Sequence, residues 1–296
     1  MKPSDASSKN VERREGHFTG HKGTELFHQA WLAPQKNAKT GGATLVITHG
    51  IGEHSECYVK TAENLAQLGW NVCAWDLRGH GRSEGKRGFV EDFHFYSLDL
   101  GHYLKFLREN GRLGEKFALL GHSMGGLITL RHILDEDKSV PTPKALALSS
   151  PLLGFTIAVP PIKDFAARVL HRVLPTVTLF NELKYEDLTR DPEHLKTYAQ
   201  DPLRHDKISP AVYLGMIANI ELAKQKAAKI QLPVIIQAGG QERIVNLPAI
   251  KEFYAAVGSA KKKLTVYEDS CHEVYNDLDR LQAIQELDAF LSDTIQ

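Results

Sequence analysis

A chain of 296 residues, 42% hydrophobic and 24% charged, can bury a full core and fits one large α/β domain with an insertion. Its 36 basic and 36 acidic side chains cancel, and no Lys/Arg run stands out, so nothing points to nucleic acid as a partner. Cys57, Cys73 and Cys271 are odd in number and lack metal-ligand spacing, which reads as reduced thiols in an intracellular protein.

The N-terminal MKPSDASSKNVERREG is polar and has no apolar core of a signal peptide. No stretch approaches the ~18 consecutive apolar residues of a membrane span. A cytoplasmic location is therefore expected. Residues 1–10 read as a flexible tail. His17 to Leu32 reads as two short strands with a turn near His21-Lys22-Gly23, and Thr40-Gly41-Gly42 as a loop. ATLVIT, from Ala43 to Thr48, is a buried strand that ends at His49-Gly50-Ile51-Gly52-Glu53-His54. Val59, Ala62, Leu65 and Ala66 mark a helix closed by Gly69. WNVCAWDL, from Trp70 to Leu77, is the next strand, and Phe93, Tyr96, Leu100, Tyr103, Leu104 and Leu107 make an amphipathic helix.

The central stretch is Lys116 to Leu134. Phe117 to Leu120 is an uninterrupted apolar run, the pattern of a strand buried on both faces. Gly121-His122-Ser123-Met124-Gly125 follows, and then Leu127, Ile128, Leu130, Ile133 and Leu134 at helical spacing. A G-x-S-x-G alone is a weak signal. Set between a strand and a helix, it predicts a strained turn with the serine hydroxyl at its apex. Lys144 to Ser149 is a further strand. From Pro151 to Leu232 no strand is expected. One apolar helix face runs through Ile162, Phe165, Ala166, Val169, Leu170, Val173 and Leu174. A polar stretch from Asn181 to Pro210 and a helix-like run from Ala211 to Ala228 follow. The alternation then resumes with strands at 233–238 and 263–267 and helices marked by Ile250–Val257 and Leu281–Leu291. This pattern predicts a mostly parallel central sheet flanked by helices. The core is expected over 11–150 and 233–296, and 151–232 as a helical cap above the strand C-termini, where such sheets bind ligands.

A serine hydroxyl needs a base, an orienting acid and oxyanion donors. With this elbow the chain order should be serine, acid, histidine. Of the 14 histidines only His272 follows the final strand, in Glu268-Asp269-Ser270-Cys271-His272. Glu242 is the only carboxylate at the end of the strand that closes at Ala238, and the strand at 144–149 ends in Ser149-Ser150-Pro151 without an acid. Glu242 could instead be a surface partner of Arg243, and Asp269 is the alternative acid. The oxyanion donors are expected at the backbone N–H groups of Met124 and Ile51.

The segments HGIGEHSECY, DLRGHGRSEG, GHSMGG, LTRDPEHLKTYAQDPLRHDKIS and DSCHEVYND resemble the monoacylglycerol lipase and lysophospholipase branch of the α/β-hydrolases, the serine aminopeptidase S33-like group. The resemblance runs from about residue 12 to 292. It implies the α/β-hydrolase fold and a triad of Ser123, Glu242 and His272. It also implies oxyanion donors at Ile51 and Met124, no cofactor, and cleavage of small lipid monoesters through an acyl-enzyme. The chain departs from the usual pattern in carrying Glu242 where monoacylglycerol lipases generally have Asp. The cap face with Ile162, Phe165 and Val169 is expected to cover the active-site mouth and bind the acyl chain, or else simply to pack on the main domain. Lys163, Arg168, His171 and Arg172 on the other face suit transient contact with an anionic lipid surface, which would place the protein at the membrane periphery.

Other chemistries fit less well. Gly79-His80-Gly81 follows a strand, but the third glycine falls at 85 rather than 84, and no helix follows directly, which disfavours dinucleotide binding. His49, His54 and His80 lack metal spacing and no H-E-x-x-H occurs, so no metal is expected. Serine at 123 disfavours an aspartate-nucleophile dehalogenase or epoxide hydrolase. A non-catalytic binding protein of the same fold would be expected to lose triad residues. Carboxylesterase, thioesterase and aminopeptidase chemistry use the same framework and stay open.

Overall fold

In the computed structural model, residues 11–34, 42–135, 139–157 and 159–295 are described. The tail expected over 1–10 and the Thr40-Gly41 part of the expected loop lie outside them. Among the described residues, eight strands form one sheet in the order β1-β2-β4-β3-β5-β6-β9-β10. They are β1 (Glu12–Thr19), β2 (Glu25–Leu32), β3 (Thr44–Thr48), β4 (Asn71–Trp75), β5 (Phe117–His122), β6 (Ala145–Ser149), β9 (Val234–Gly239) and β10 (Lys262–Tyr267). β1 and β2 pair antiparallel, as do β2 and β4, and the other pairings within this sheet are parallel.

The strands are apolar on both sides because both faces are covered. Val46, Leu119, Leu146, Leu148 and Ile236 join α2 (His94–Glu109), α3 (Met124–Leu134), α6 (Pro210–Lys226) and α7 (Leu247–Ala256) in one core. Their sequence neighbours Leu45, Ile47, Leu120, Ala147 and Ile235 join α1 (Val59–Gln67) and α8 (Arg280–Thr294) in the other. This two-face alternation is the period-2 geometry of a strand between two helical layers. It explains why β3, β5, β6 and β9 read as continuous apolar runs. The two edge strands are the exceptions, and β10 buries only Tyr267. β1 has mostly exposed residues, so its start at Glu12, earlier than expected, has no apolar signature.

Residues 151–232 leave the sheet between β6 and β9. They carry α4 (Pro161–Val173), α5 (Pro192–Gln200) and α6. Two expectations need correction. A two-stranded antiparallel ribbon, β7 (Leu179–Phe180) with β8 (Lys207–Ile208), occupies a region where no strand was expected. Two residues per strand are too few for a readable alternation. The polar stretch also contains α5. Its start is legible in retrospect, because Asp191 caps Glu193 N at 3.0 Å and Pro192 stands in the first turn.

Candidate active site

β5 delivers the chain to Ser123, which adopts φ 52° and ψ −119°, a left-handed conformation costly for a non-glycine residue. The flanking glycines make this turn possible. A Cβ on Gly121 would lie 2.6 Å from the Gly125 carbonyl oxygen, and one on Gly125 would lie 2.2 Å from the Thr48 oxygen. The two glycines thus let α3 start directly against the ends of β5 and β3, with Met124 as its first residue.

Ser123, His272, Gly50 and Ile51 line one cavity of about 220 Å³, with Leu183, Tyr185, Leu188, Arg204 and His205 of the 151–232 segment on its far side. His272 Nδ1 lies 2.8 Å from Glu242 Oε2. The other Glu242 oxygen accepts from Ile244 N at 2.9 Å and Val245 N at 3.2 Å. Burial pushes the Glu242 carboxyl up, but the adjacent imidazole and the two backbone donors outweigh it and hold it below the usual carboxylate range. Burial works against a charged His272, yet Glu242 outweighs it and raises the imidazole above its ordinary value. Among the described residues no hydrogen bond closes between Ser123 Oγ and the ring. Bonds of this kind tighten when substrate binds.

The alternatives for the acid part here. Arg243 turns away from Glu242 and pairs with Asp187 at 3.3 Å. Asp269 is exposed. Ile51 lies on the loop after β3, and Met124 is the first residue of α3. The loop is pinned by His49, whose Nδ1 donates to Gly50 O at 2.7 Å and whose Nε2 accepts from Leu77 N at 2.9 Å. Burial lowers that imidazole to about 3, so it stays neutral and keeps both bonds.

The cavity wall also holds residues that sequence reasoning missed. Glu53 is buried, and its Oε1 accepts from Gly50 N and, at 2.9 Å, from Tyr58 OH. Burial, with Glu273 nearby, pushes its carboxyl up to about 7. Glu273 is buried too, but Arg204 outweighs the burial and holds it below the usual range. Arg204 lies over the Tyr198 ring at 3.7 Å. Glu53 had a visible cue in its place just past a strand end. Arg204 had none, since it reaches the cavity only through the fold of 151–232. Glu53→Ala should leave Gly50 N and Tyr58 OH unpaired, at about 1–3 kcal/mol each. Thermal or denaturant unfolding checks this, and Glu53→Gln, which keeps an acceptor oxygen, should lose less.

Ile162, Phe165 and Val169 do not line this cavity. They are 74%, 65% and 44% exposed, and α4 buries none of its residues. Both expectations for this face, an acyl tunnel and packing on the main domain, are therefore corrected. The wall above Ser123 comes from the β7 region and the chain before β8 instead. α4 leans on α6, where Tyr213 OH lies 3.4 Å from Asp164, and its apolar side faces outward.

The profile of the family described as "Serine aminopeptidase, S33" matches residues 40–279. The monoacylglycerol lipase of Mycolicibacterium smegmatis is 27% identical over 280 residues, covering 94% of this chain and 97% of that protein. Phospholipase YtpA of Bacillus subtilis is 26% identical over 249 residues, covering 84% and 94%. The crystal structure of Paleococcus ferrophilus monoacylglycerol lipase superposes with a TM-score of 0.79 at 28% identity, covering 91% of this chain and 99% of that one. With its eight-stranded sheet, its serine elbow and the match over most of its length, the chain belongs to the serine aminopeptidase S33 family of α/β-hydrolases.

Proposed function

We propose that the protein is a serine ester hydrolase acting on small lipid monoesters, such as monoacylglycerols or lysophospholipids. The observation that carries this reading is His272, paired with Glu242 at 2.8 Å and lining the same cavity as the strained Ser123. Ser123 Oγ attacks the ester carbonyl while His272 Nε2 takes its proton. Glu242 holds the tautomer and stabilises the imidazolium that forms. The N–H groups of Ile51 and Met124 receive the developing oxyanion. The alcohol leaves after protonation by His272, and water then releases the acid by the same relay. No cofactor takes part. The names of the M. smegmatis and B. subtilis relatives support a lipid ester as substrate. A panel of monoacylglycerols, lysophospholipids, short p-nitrophenyl esters, acyl thioesters and aminoacyl anilides tests it. Higher kcat/KM on anilides or thioesters than on lipid monoesters would overturn the substrate assignment.

The α4 side of the molecule supports one further reading, transient docking on a lipid surface. Ile157, Ile162, Phe165, Val173, Leu174 and Phe180 are each more than half exposed, a concentration of apolar surface that suits an interface with lipid. Its cations contribute less than expected, because Arg168 pairs with Asp164 and Lys163 with Glu182. No helix among the described residues is long and apolar enough to cross a membrane. Phe165→Asp should leave thermal stability within about 0.5 kcal/mol, as for an exposed site. It should cut activity on vesicle-borne monoesters several-fold while sparing a soluble acetate ester. Equal loss on both substrates would count against docking.

A further inference from the structure

Next to the cavity, the loop after β3 meets the 151–232 segment at a second cluster. His54 and Cys57 come from that loop, separated by two residues. Asp201 comes from the end of α5. His54 Nε2 lies 2.8 Å from Asp201 Oδ2. Cys57 Sγ completes a group whose three donor atoms all lie within 4.8 Å of one another. An imidazole nitrogen, a sulfur and a carboxylate oxygen form the mixed donor set that suits Zn²⁺, whereas Mg²⁺ and Ca²⁺ select oxygen alone.

We propose that His54, Cys57 and Asp201 form a Zn²⁺ site that staples the cap segment to the loop carrying Ile51, and that the bound ion slows turnover. Zinc bond lengths of about 2.0–2.3 Å at a tetrahedral centre need donor separations of roughly 3.2–3.8 Å. The His54–Asp201 pair must open by about half an ångström and the thiol must close in, movements within reach of side-chain rotation. Zn²⁺ takes the place of the thiol proton, which passes to solvent. Thiolate, Asp201 carboxylate and Zn²⁺ then sum to zero charge. Arg204, 3.3 Å from Cys57 Sγ, is already matched by Glu273 and can donate an N–H bond to the thiolate. The Asp201 side chain is 24% exposed, so water can reach the fourth position. His54 is buried with its Nδ1 unpartnered, so the Asp201 bond is the ring's only commitment. His54 and Asp201 are 147 residues apart, which is why spacing along the chain does not reveal the site.

The staple has a mechanical meaning. His205 N bonds Gly52 O at 3.1 Å, so the chain just past Asp201 already rests on the loop that carries Ile51. An ion across the same seam resists any parting of cap and core that substrate entry requires.

The test titrates the metal-free full-length chain with Zn²⁺ against a chromophoric chelator, and with Co²⁺ as a spectroscopic probe. The expected result is one equivalent of Zn²⁺ bound and a near-ultraviolet sulfur-to-cobalt charge-transfer band. Cys57→Ser should abolish the band. Cys57→Ser and Asp201→Asn should each weaken Zn²⁺ binding by at least about 10- to 100-fold, the loss that even an outer-shell partner brings. Should the variants fold poorly, alkylation mapped by mass in the wild-type chain decides, since Zn²⁺ should slow it at Cys57 and not at the buried Cys73 and Cys271. Zn²⁺ should also slow hydrolysis of a soluble ester by the wild type and not by Cys57→Ser, and a chelator should reverse it. That arm alone rests on the proposed esterase activity, and the binding arms stand without it. Cobalt binding without a sulfur band, equal affinity in wild type and both variants, or unchanged Cys57 alkylation means an adventitious ion only and overturns the site.

Discussion

Ser123→Ala should lower kcat on a monoester by about 10⁵ to 10⁶, the loss seen when the nucleophile of such a triad is removed. The size follows from the mechanism. Without the hydroxyl no acyl-enzyme forms, and only oxyanion binding and substrate positioning remain, worth roughly 10³ to 10⁴ over water. Loss of the Oγ should leave the fold intact. The backbone of position 123 is held from outside the side chain, with its N–H on Ser149 O at 2.9 Å and its carbonyl accepting from Leu152 N at 3.0 Å. Alanine must still adopt φ 52°, as the serine does, so the strain is shared by both proteins. The measurements are steady-state hydrolysis, a fluorophosphonate probe and a thermal scan. Wild type should label and the variant should not, at matched stability. Near-normal hydrolysis by Ser123→Ala would remove the proposed nucleophile and the function built on it. Labelling without turnover of any ester would instead leave the nucleophile and discard the substrate class.

Glu242→Gln should lower kcat by about 10³ to 10⁴. The amide keeps the shape but loses the charge. Its NH₂ can turn toward His272 Nδ1 and favour the tautomer that protonates Nε2, the nitrogen needed to accept the serine proton. The pH profile adds a sign that a merely structural role lacks. Glu242 is what raises His272 against its burial. The wild type should lose activity as pH falls through that raised value, because protonated His272 cannot act as base. Removing the charge should move this acid limb to lower pH. Glu242→Asp keeps the charge, but its chain is one methylene shorter, so the carboxylate falls short by roughly 1 Å. A smaller loss of about 10 to 10² is expected. Asp269→Asn, at an exposed position, should stay near wild type. A dead Asp269→Asn beside a nearly normal Glu242→Gln would transfer the acid's role to Asp269.

Local pattern carried much of this protein on its own. The apolar runs in β3, β5, β6 and β9 report burial on both faces, a property each segment has regardless of its partners. The elbow is legible for the same reason. Gly121 and Ser123 sit in a turn closed within a few residues of chain, whereas Gly125 answers to the Thr48 oxygen on β3, and the chain order of serine, acid and histidine follows from where strands end. The tertiary structure decided whatever depends on contacts between distant segments. It placed Glu242 rather than Asp269 on His272, and sent Arg243 to Asp187. It set Arg204 beside Glu273 in the cavity wall, although its sequence neighbourhood reads only as polar. It also turned the α4 face outward. A helical apolar stripe states that one side differs from the other, and it takes the placement of α6, the β7–β8 ribbon and solvent to determine what that side meets.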